Sequence, residues 1–463
     1  MLRAGDSRME WTLCLVGMGI DGKSRSFEVM AISRPDDLGD IANLGLTLAE
    51  GKLLLAQVQQ HFVAEQATTH AAFRPDCRSC GGTCHVKDWA PHRIATLFGE
   101  VRLKLPRFLC AGCGCGATGV SWPSHCRSTP ELNQLQARLS ALMPFRVAAD
   151  VLQHLLPIDA GKSPETLRSH TLQVGKQLVE EAAEKPPAAA AITISLDSTF
   201  IRRCEDDGER HLEVRVGNVE TVGDGRQVFG AVARTETDIT ALIQRTLQTV
   251  GRTDTTEVTA FTDGCPGLRT VLTNAGVMEP PILDWFHIAM RLQHTKLAAA
   301  NLSTDDSDRV TAKATIVAEV ERLHWRIWNG KAKDAQRSIK RIRKVMHVFK
   351  GEHGQGAKGV ASRKLWQALH AIDKYLRGQA AWLVDYAKRY RAGLRVGTSI
   401  TEGTANFLVN RRMNKSQQMR WSRKGADLLL QVRCAVYNGT LGAGFGHRFD
   451  RTYNADPAFA KAA

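Results

Sequence analysis

Four cysteines stand in two pairs, Cys77-Arg-Ser-Cys80 and Cys110-Ala-Gly-Cys113. Each pair puts two thiolates on one tight turn, and two such turns supply the four sulfurs of a tetrahedral Zn²⁺ site. Residues 93–103 between them read as a hairpin turning at Gly99, so 71–126 is expected to be a zinc ribbon. Cys84 and Cys115 lie close enough in sequence to replace a ligand. The scattered Cys14, Cys126, Cys204, Cys265 and Cys434 read as small buried residues. A second set is acidic. Asp197 closes the apolar run 192–196, and Asp263 follows the run 257–261. Glu402 opens a later helical stretch, with Asn406 one turn on along the same face. Three carboxylates gathered at one sheet could hold two Mg²⁺ (or Mn²⁺) ions and serve in-line displacement at phosphorus.

The elements that would carry these carboxylates follow a readable order. Residues 192–196 are a buried-strand pattern, Leu212, Val214 and Val216 alternate with polar residues, and 227–233 form a third run. A helix over 238–249, a strand over 257–261, a short helix and Ile282-Leu283 follow, and the last leads into Asp284-Trp-Phe-His287. Three antiparallel-type strands, then helix, strand, helix, strand, is the order of an RNase H-like fold. The expected architecture is multidomain α/β. An RNase H-like catalytic core over 190–287 and 396–441 is interrupted by an all-helical insertion over 288–395. A last helical segment is expected over 399–441, and a tail over 442–463.

Upstream, 127–183 read as a helix-turn-helix. One helix runs from Leu132 to Met143, and a second from Phe145 to Leu156. A third is N-capped by Ser163 with Pro164 in its first turn. The third presents Arg168 near its start and Lys176 further along, as a recognition helix would. The first 70 residues hold a hairpin pattern and a helix over 47–63 with Leu48, Leu55 and Phe62 on one face, a packing or dimerisation module.

The chain of 463 residues carries 62 Lys and Arg against 47 Asp and Glu, a net charge of +15 that points to a polyanionic partner. Lys340, Arg341 and Lys344 lie in a basic helix with an apolar back. Arg411, Arg412, Lys415, Arg420 and Arg423 follow the third carboxylate closely and are expected to hold double-stranded DNA beside the metal site. Trp325 and Trp328 read as a core pair. The longest early apolar stretch, from Trp11 to Gly17, is too short to span a bilayer, so no membrane partner is expected. The expected location is the cytoplasm.

At these residues the chain resembles bacterial insertion-sequence DDE transposases, most closely the ISKra group, and is similar to the ISL group and the Mutator-like elements. The resemblance rests on the two Cys-x-x-Cys knuckles, Ser195-Leu-Asp-Ser-Thr199, Thr262-Asp-Gly-Cys-Pro266, Leu283-Asp-Trp-Phe-His287, Glu402-Gly-Thr-Ala-Asn-Phe407, Met419-Arg-Trp-Ser422 and Gly425-Ala426. It implies a catalytic triad of Asp197, Asp263 and Glu402, with Asp284 and His287 close to the active site. It also implies cleavage and strand transfer at the terminal inverted repeats of an element, by a homodimer or higher synaptic oligomer that also holds target DNA. Two other readings compete: a catalytically inactive, transposase-derived DNA-binding repressor, and a nuclease for RNA–DNA hybrids. The presence of all three carboxylates argues against the first. The long insertion and the upstream modules argue against the second.

Overall fold

The computed structural model describes residues 8–19, 22–35, 40–117, 127–158, 162–180, 187–205, 208–221, 226–232, 235–352, 359–397, 403–414 and 419–442. Cys126, Glu402, Lys415 and the tail from 443 lie outside the described residues. The chain is mixed α/β and divides into two compact units, 1–178 with 440–463, and 179–439.

In the first unit, β1 (Arg8–Met18) and β2 (Ser24–Pro35) form an antiparallel hairpin with a register shift between Leu13 and Cys14. Helix α1 (Leu48–Ala72) begins at a capping box, in which the Thr47 hydroxyl accepts from the Glu50 amide and the Glu50 carboxylate accepts from the Thr47 amide. It runs well past the expected end at residue 63, because no glycine or proline interrupts it between Lys52 and Phe73. Strands β3 (Cys84–Thr96), β4 (Gly99–Cys110) and β5 (Gly116–Ala117) make a three-stranded antiparallel sheet. Its main turn requires Gly99, whose φ is +111°. The Thr96 hydroxyl spans that turn, accepting from the Phe98 amide and donating to the Gly99 carbonyl. Three helices follow: α2 (Pro130–Leu142), α3 (Phe145–Leu155) and α4 (Pro164–Glu180). Ser163 caps α4 as expected, its Oγ accepting from the Thr166 amide at 3.1 Å.

The second unit is built on β6 (Ala191–Arg202), β7 (His211–Thr221), β8 (Arg226–Ala231), β9 (Glu257–Thr262) and β10 (Ile282–Leu283). Across the sheet the order is β8-β7-β6-β9-β10. β6, β7 and β8 are antiparallel neighbours, while β9 runs parallel to β6 and β10 parallel to β9. On β6, Ile192, Ile194 and Leu196 pack with Ile243 and Leu247 of α5 (Glu236–Thr249) and with Leu268 and Leu272 of α6 (Pro266–Asn274). Each fully buried residue of this kind contributes roughly 2 kcal/mol. The alternation of a strand turns Ser195, Asp197 and Thr199 to the other face. There a π-helical segment, Asn406–Asn414, meets the strand: Thr199 Oγ1 donates to Asn410 Oδ1 at 3.2 Å, and Asn414 Nδ2 donates to the Phe200 carbonyl at 3.1 Å.

Helices α7 (Trp285–Ala300), α8 (Ser307–Trp328), α9 (Ala332–Val345), α10 (Val360–Gln379) and α11 (Tyr386–Arg391) occupy the span expected to be a helical insertion. They share one apolar core with the sheet edge, where Phe261, Ile282 and Leu283 pack with Ile288, Leu323 and Tyr386. The expected tryptophan pair is split. Trp328 packs against Trp285 and Tyr386, whereas Trp325 is exposed. The single helical segment expected over 399–441 is also divided. After the π-helical segment, Trp421 pairs along the extended end of β6, its amide donating to the Arg202 carbonyl at 2.9 Å. Ser422 then caps α12 (Arg423–Tyr437).

Gly217 on β7 has no room for a side chain: a Cβ there would sit 2.4 Å from the Ser195 carbonyl oxygen and 2.6 Å from the Phe229 ring. Gly217→Ala should therefore destabilise the second unit by about 2–3 kcal/mol in urea unfolding. Gly378→Ala, on an open face of α10, should be neutral or stabilising.

Candidate metal centre and carboxylate row

The Sγ atoms of Cys77, Cys80, Cys110 and Cys113 all lie within 4.8 Å of one another. Cys77 and Cys113 are 3.4 Å apart, and Cys80 and Cys110 3.5 Å. Both knuckles are built alike. The Gly81 amide donates to the Cys77 carbonyl at 2.8 Å, and the Gly114 amide to the Cys110 carbonyl at 3.0 Å; both glycines have positive φ. Amides of Ser79 and Cys80 point at the Cys77 sulfur and lower its pKa to about 6, and those of Cys113 and Gly112 lower that of Cys110. These backbone donors favour thiolates on the two buried members. Four sulfurs so arranged could hold a metal ion such as zinc.

Cys84 is not among the four. It is buried beneath them beside Phe108, and burial raises its pKa, which favours the thiol. Cys115 is exposed, and its carbonyl accepts from the Cys110 amide. Of the scattered cysteines expected to be buried, Cys434 is, while Cys14, Cys204 and Cys265 are exposed: Cys14 lies on β1, which buries none of its residues, and Cys204 and Cys265 lie outside the strands and helices.

The acidic residues share a different kind of order. Leu196 on β6 pairs with Thr262 on β9, and Thr262 with Leu283 on β10. Asp197, Asp263 and Asp284 are the next residues in sequence, so they form one row across strands about 4.8 Å apart: Asp197 within β6, Asp263 and Asp284 just past the ends of β9 and β10. Their settings differ. The Asp197 carboxylate accepts from the Ser198 amide at 2.8 Å, on the face that meets the π-helical segment. That of Asp263 accepts from the Cys265 amide at 2.8 Å. Asp284 is 1% exposed; it caps α7 by accepting from the Phe286 amide at 2.8 Å and is roofed by Gly397, where a Cβ would come within 2.7 Å of its Oδ1. Asp284, expected close to the active site, is thus a buried helix cap beside the other two aspartates. His287 Nε2 stands 3.9 Å from the Asp284 carboxylate. Among the described residues, the cysteines are the one group of three or more His, Cys, Asp or Glu side chains gathered closely enough to hold an ion.

Two residues that no local motif announces hold the Asp263 turn. The Tyr375 hydroxyl donates to the Asp263 carbonyl at 2.9 Å, and Gln379 Nε2 donates to the Gly264 carbonyl at 2.9 Å. Both belong to α10, more than 100 positions away along the chain. Gly264 has φ +97° and lies under the Gln379 side chain, so the Asp-Gly turn needs its glycine. Burial pushes the Tyr375 phenol well above its ordinary pKa, keeping it a donor.

Of the cations expected to meet DNA, Lys176, Lys340, Arg341, Lys344, Arg411 and Arg420 are exposed, and Arg423 is half-buried. Arg168 is exposed and pairs with Glu165 at 2.8 Å. Arg412 is not a surface cation. It is buried, its guanidinium lies 5.5 Å from the Trp421 ring centroid, and burial and the nearby Arg433 push its pKa down to about 10. Position 412 falls on the packed side of the π-helical segment, where a run of adjacent arginines must place one inward. Arg433, also buried, donates from Nε to the Leu408 carbonyl at 2.5 Å and from Nη2 to the Phe407 carbonyl. It satisfies carbonyls on the segment that faces β6.

No protein-family model matches the chain, and no curated protein matches it in sequence.

Cys77→Ser and Cys110→Ser should each lose the bound metal, measured as metal per chain by mass spectrometry of freshly purified protein. Cys84→Ser and Cys115→Ser should retain it, because neither sulfur belongs to the group of four.

Proposed function

We propose that this chain is a DDE-type DNA transposase. In this reading the second unit is an RNase H-like nuclease core, the cysteine cluster is a zinc ribbon, and α2 to α4 are a helix-turn-helix that reads the ends of the element. The observation that carries the proposal is the sheet. In order of appearance its strands lie 3-2-1-4-5, with the first three antiparallel and the last two parallel to the first. An RNase H-like fold orders its strands in this way, which supports the reading, and Asp197 and Asp263 each follow one member of the register pair Leu196 and Thr262 on adjacent parallel strands.

Two adjacent carboxylates suit Mg²⁺, which takes oxygen ligands and keeps open positions. Asp197 and Asp263 would hold it together with Glu402, and bound there it would activate the attacking oxygen and stabilise the leaving one. The chain's own work is positional. Tyr375 and Gln379 fix the Asp263 turn, and the Asn410 and Asn414 side chains fix the segment after Glu402 against the Asp197 strand. Exposed Arg411, Arg420, Lys340 and Lys344 supply phosphate contacts on the same unit. The zinc ribbon and α4 supply DNA contacts on the other.

The competing reading is a DNA-binding protein without catalysis. Incubation with Mg²⁺ and DNA carrying the gene's own flanking repeats separates the two. A transposase cuts at the repeat ends; a repressor binds them and leaves them intact.

Asp197→Asn and Asp263→Asn should each reduce that cleavage about a thousandfold or more while DNA binding persists, since each removes an ion ligand and keeps the side-chain shape. Asp284→Asn keeps an oxygen able to cap α7 and should retain partial activity. Abolition by Asp284→Asn alone would move the second carboxylate to β10.

Arg168→Ala should weaken binding to the repeat ends more than binding to random duplex, as read by competition at fixed salt. Equal loss on both would remove Arg168 from base contact.

A further inference from the structure

Two arginines stand beside the turn that carries Asp263. The Tyr375 hydroxyl donates to the Asp263 carbonyl at 2.9 Å, and its phenol lies within electrostatic reach of both Arg269 and Arg291. Their settings differ. Arg269, on α6, is engaged by the protein: its guanidinium lies 3.6 Å from the Trp382 ring centroid and donates to Gln379 Oε1. Arg291, on α7, is exposed, and its guanidinium lies over the Tyr375 ring, 5.0 Å from the centroid. Among the described residues no carboxylate forms an ion pair with it, although Arg343 of α9 and Arg377 of α10 are both held by Asp373.

A guanidinium resting on a ring by its face is restrained without losing its N–H donors, which point outward in its plane. The position along the helix is fixed as well. Arg291 is seven residues beyond Asp284, the N-cap of α7, so it lies roughly 10 Å from that aspartate along the helix axis. Spacings of four and three residues put His287, Arg291 and His294 on one face of α7, leading away from the carboxylate row. We propose that Arg291 is a phosphate-binding residue of the carboxylate site, gripping one backbone phosphate of the DNA strand beside the bond to be cut. The proposal rests on the transposase reading for the identity of that bond.

The chemistry of the site selects a phosphodiester. Asp197, Asp263 and Asp284 set carboxyl groups in one row, which repels a DNA backbone wherever ions do not offset it. A fixed cation just outside the row offsets that repulsion for the neighbouring phosphate. A guanidinium meets two phosphate oxygens at once, whereas an ammonium acts as a point charge. Arg291 is already restrained for this task, because the ring it lies over belongs to the residue that holds the Asp263 turn. Arg343 shows what a packing role looks like in the same helices: it is partly buried and paired with Asp373 at 2.9 Å. Arg291 is exposed and engages a ring alone.

The test uses the full-length chain and duplexes carrying the gene's own flanking repeat, each with one phosphate replaced by a neutral methylphosphonate. Binding is measured without Mg²⁺, so that no strand is cut. Arg291→Gln should weaken binding to the unmodified duplex about tenfold. At one phosphate, the methylphosphonate should weaken wild type by the same factor and leave Arg291→Gln unchanged. That phosphate should lie within about three nucleotides of the cut, since a strand advances about 3.4 Å per nucleotide. Arg291→Lys should keep part of the affinity and the same dependence on that phosphate. The proposal is overturned if Arg291→Gln binds like wild type, if its loss is the same on every duplex, or if the coupled phosphate lies far from the cut. A wild-type chain that binds the repeat and never cuts it with Mg²⁺ sinks the transposase reading instead, and the same scan still decides whether Arg291 holds a phosphate. Absence of wild-type binding would overturn both.

Discussion

Parallel pairing of β9 with β6 is the contact on which the second unit depends. A parallel neighbour cannot be reached by a hairpin, so the chain must leave β8, cross the sheet through α5 and return beside β6. That crossover brings Ile243 and Leu247 onto the same side as Ile192, Ile194 and Leu196, and the burial of these residues favours the crossover. Once β9 is in register, Thr262 stands opposite Leu196, and an aspartate follows each in sequence. The row of carboxylates is thus a consequence of one register. A slip by one residue would turn Asp197 toward α5 and α6, where a charge has no partner among apolar side chains.

The helical span from α7 to α11 acts on this row from outside the sheet. Its core is continuous with Phe261, Ile282 and Leu283, so it is anchored to the strands that carry Asp263 and Asp284. Tyr375 and Gln379 reach back from α10 to two successive carbonyls of the Asp263 turn, and the Tyr386 hydroxyl donates to the Leu283 carbonyl at 2.8 Å. Each is a neutral donor meeting a backbone acceptor that the end of a strand leaves without a ladder partner. A turn held in this way keeps its carboxylate in one place through neutral donors, with the Arg269 guanidinium within electrostatic reach of Asp263 and bonded to Gln379.

Much of this was legible before the fold was seen. Alternation in Leu212, Val214 and Val216 marked β7, and the apolar runs at 192–196 and 257–261 marked β6 and β9, because burial on a sheet leaves a local pattern. The cysteine knuckles were legible for the same reason: ligand pairs on one turn are close in sequence. What stayed hidden depends on distant residues. Nothing around Tyr375 says that its hydroxyl ends on Asp263, 112 positions earlier. Arg412 looked like one more surface cation in a basic run, and only the packing of Trp421 and Arg433 around it shows that it is buried. Asp284 sits in a motif that resembles a site motif, yet the chain at Gly397 closes over it. The length of α1 was underestimated because its apolar residues thin out after Phe62, although the helix continues on intrinsic propensity and contacts with its two sheets.

The two units meet the problem of holding a site in opposite ways. The carboxylate row sits on a sheet covered by helices, and its placement rests on buried apolar area that exists whether or not an ion is bound. Among the described residues the buried cluster around the cysteines is Cys77, Cys84, Phe108 and Cys110, with Val86 against it. So small a core offsets little of the entropy lost in fixing two knuckles and a long hairpin. The four sulfurs, held within 4.8 Å of one another, would repel as thiolates unless a cation lay between them. An ion bound at the cysteines would therefore be coupled to the fold, whereas one bound at the carboxylates would not. On the proposed reading, a substitution at the cysteines acts on structure, whereas one at Asp197 or Asp263 acts on chemistry.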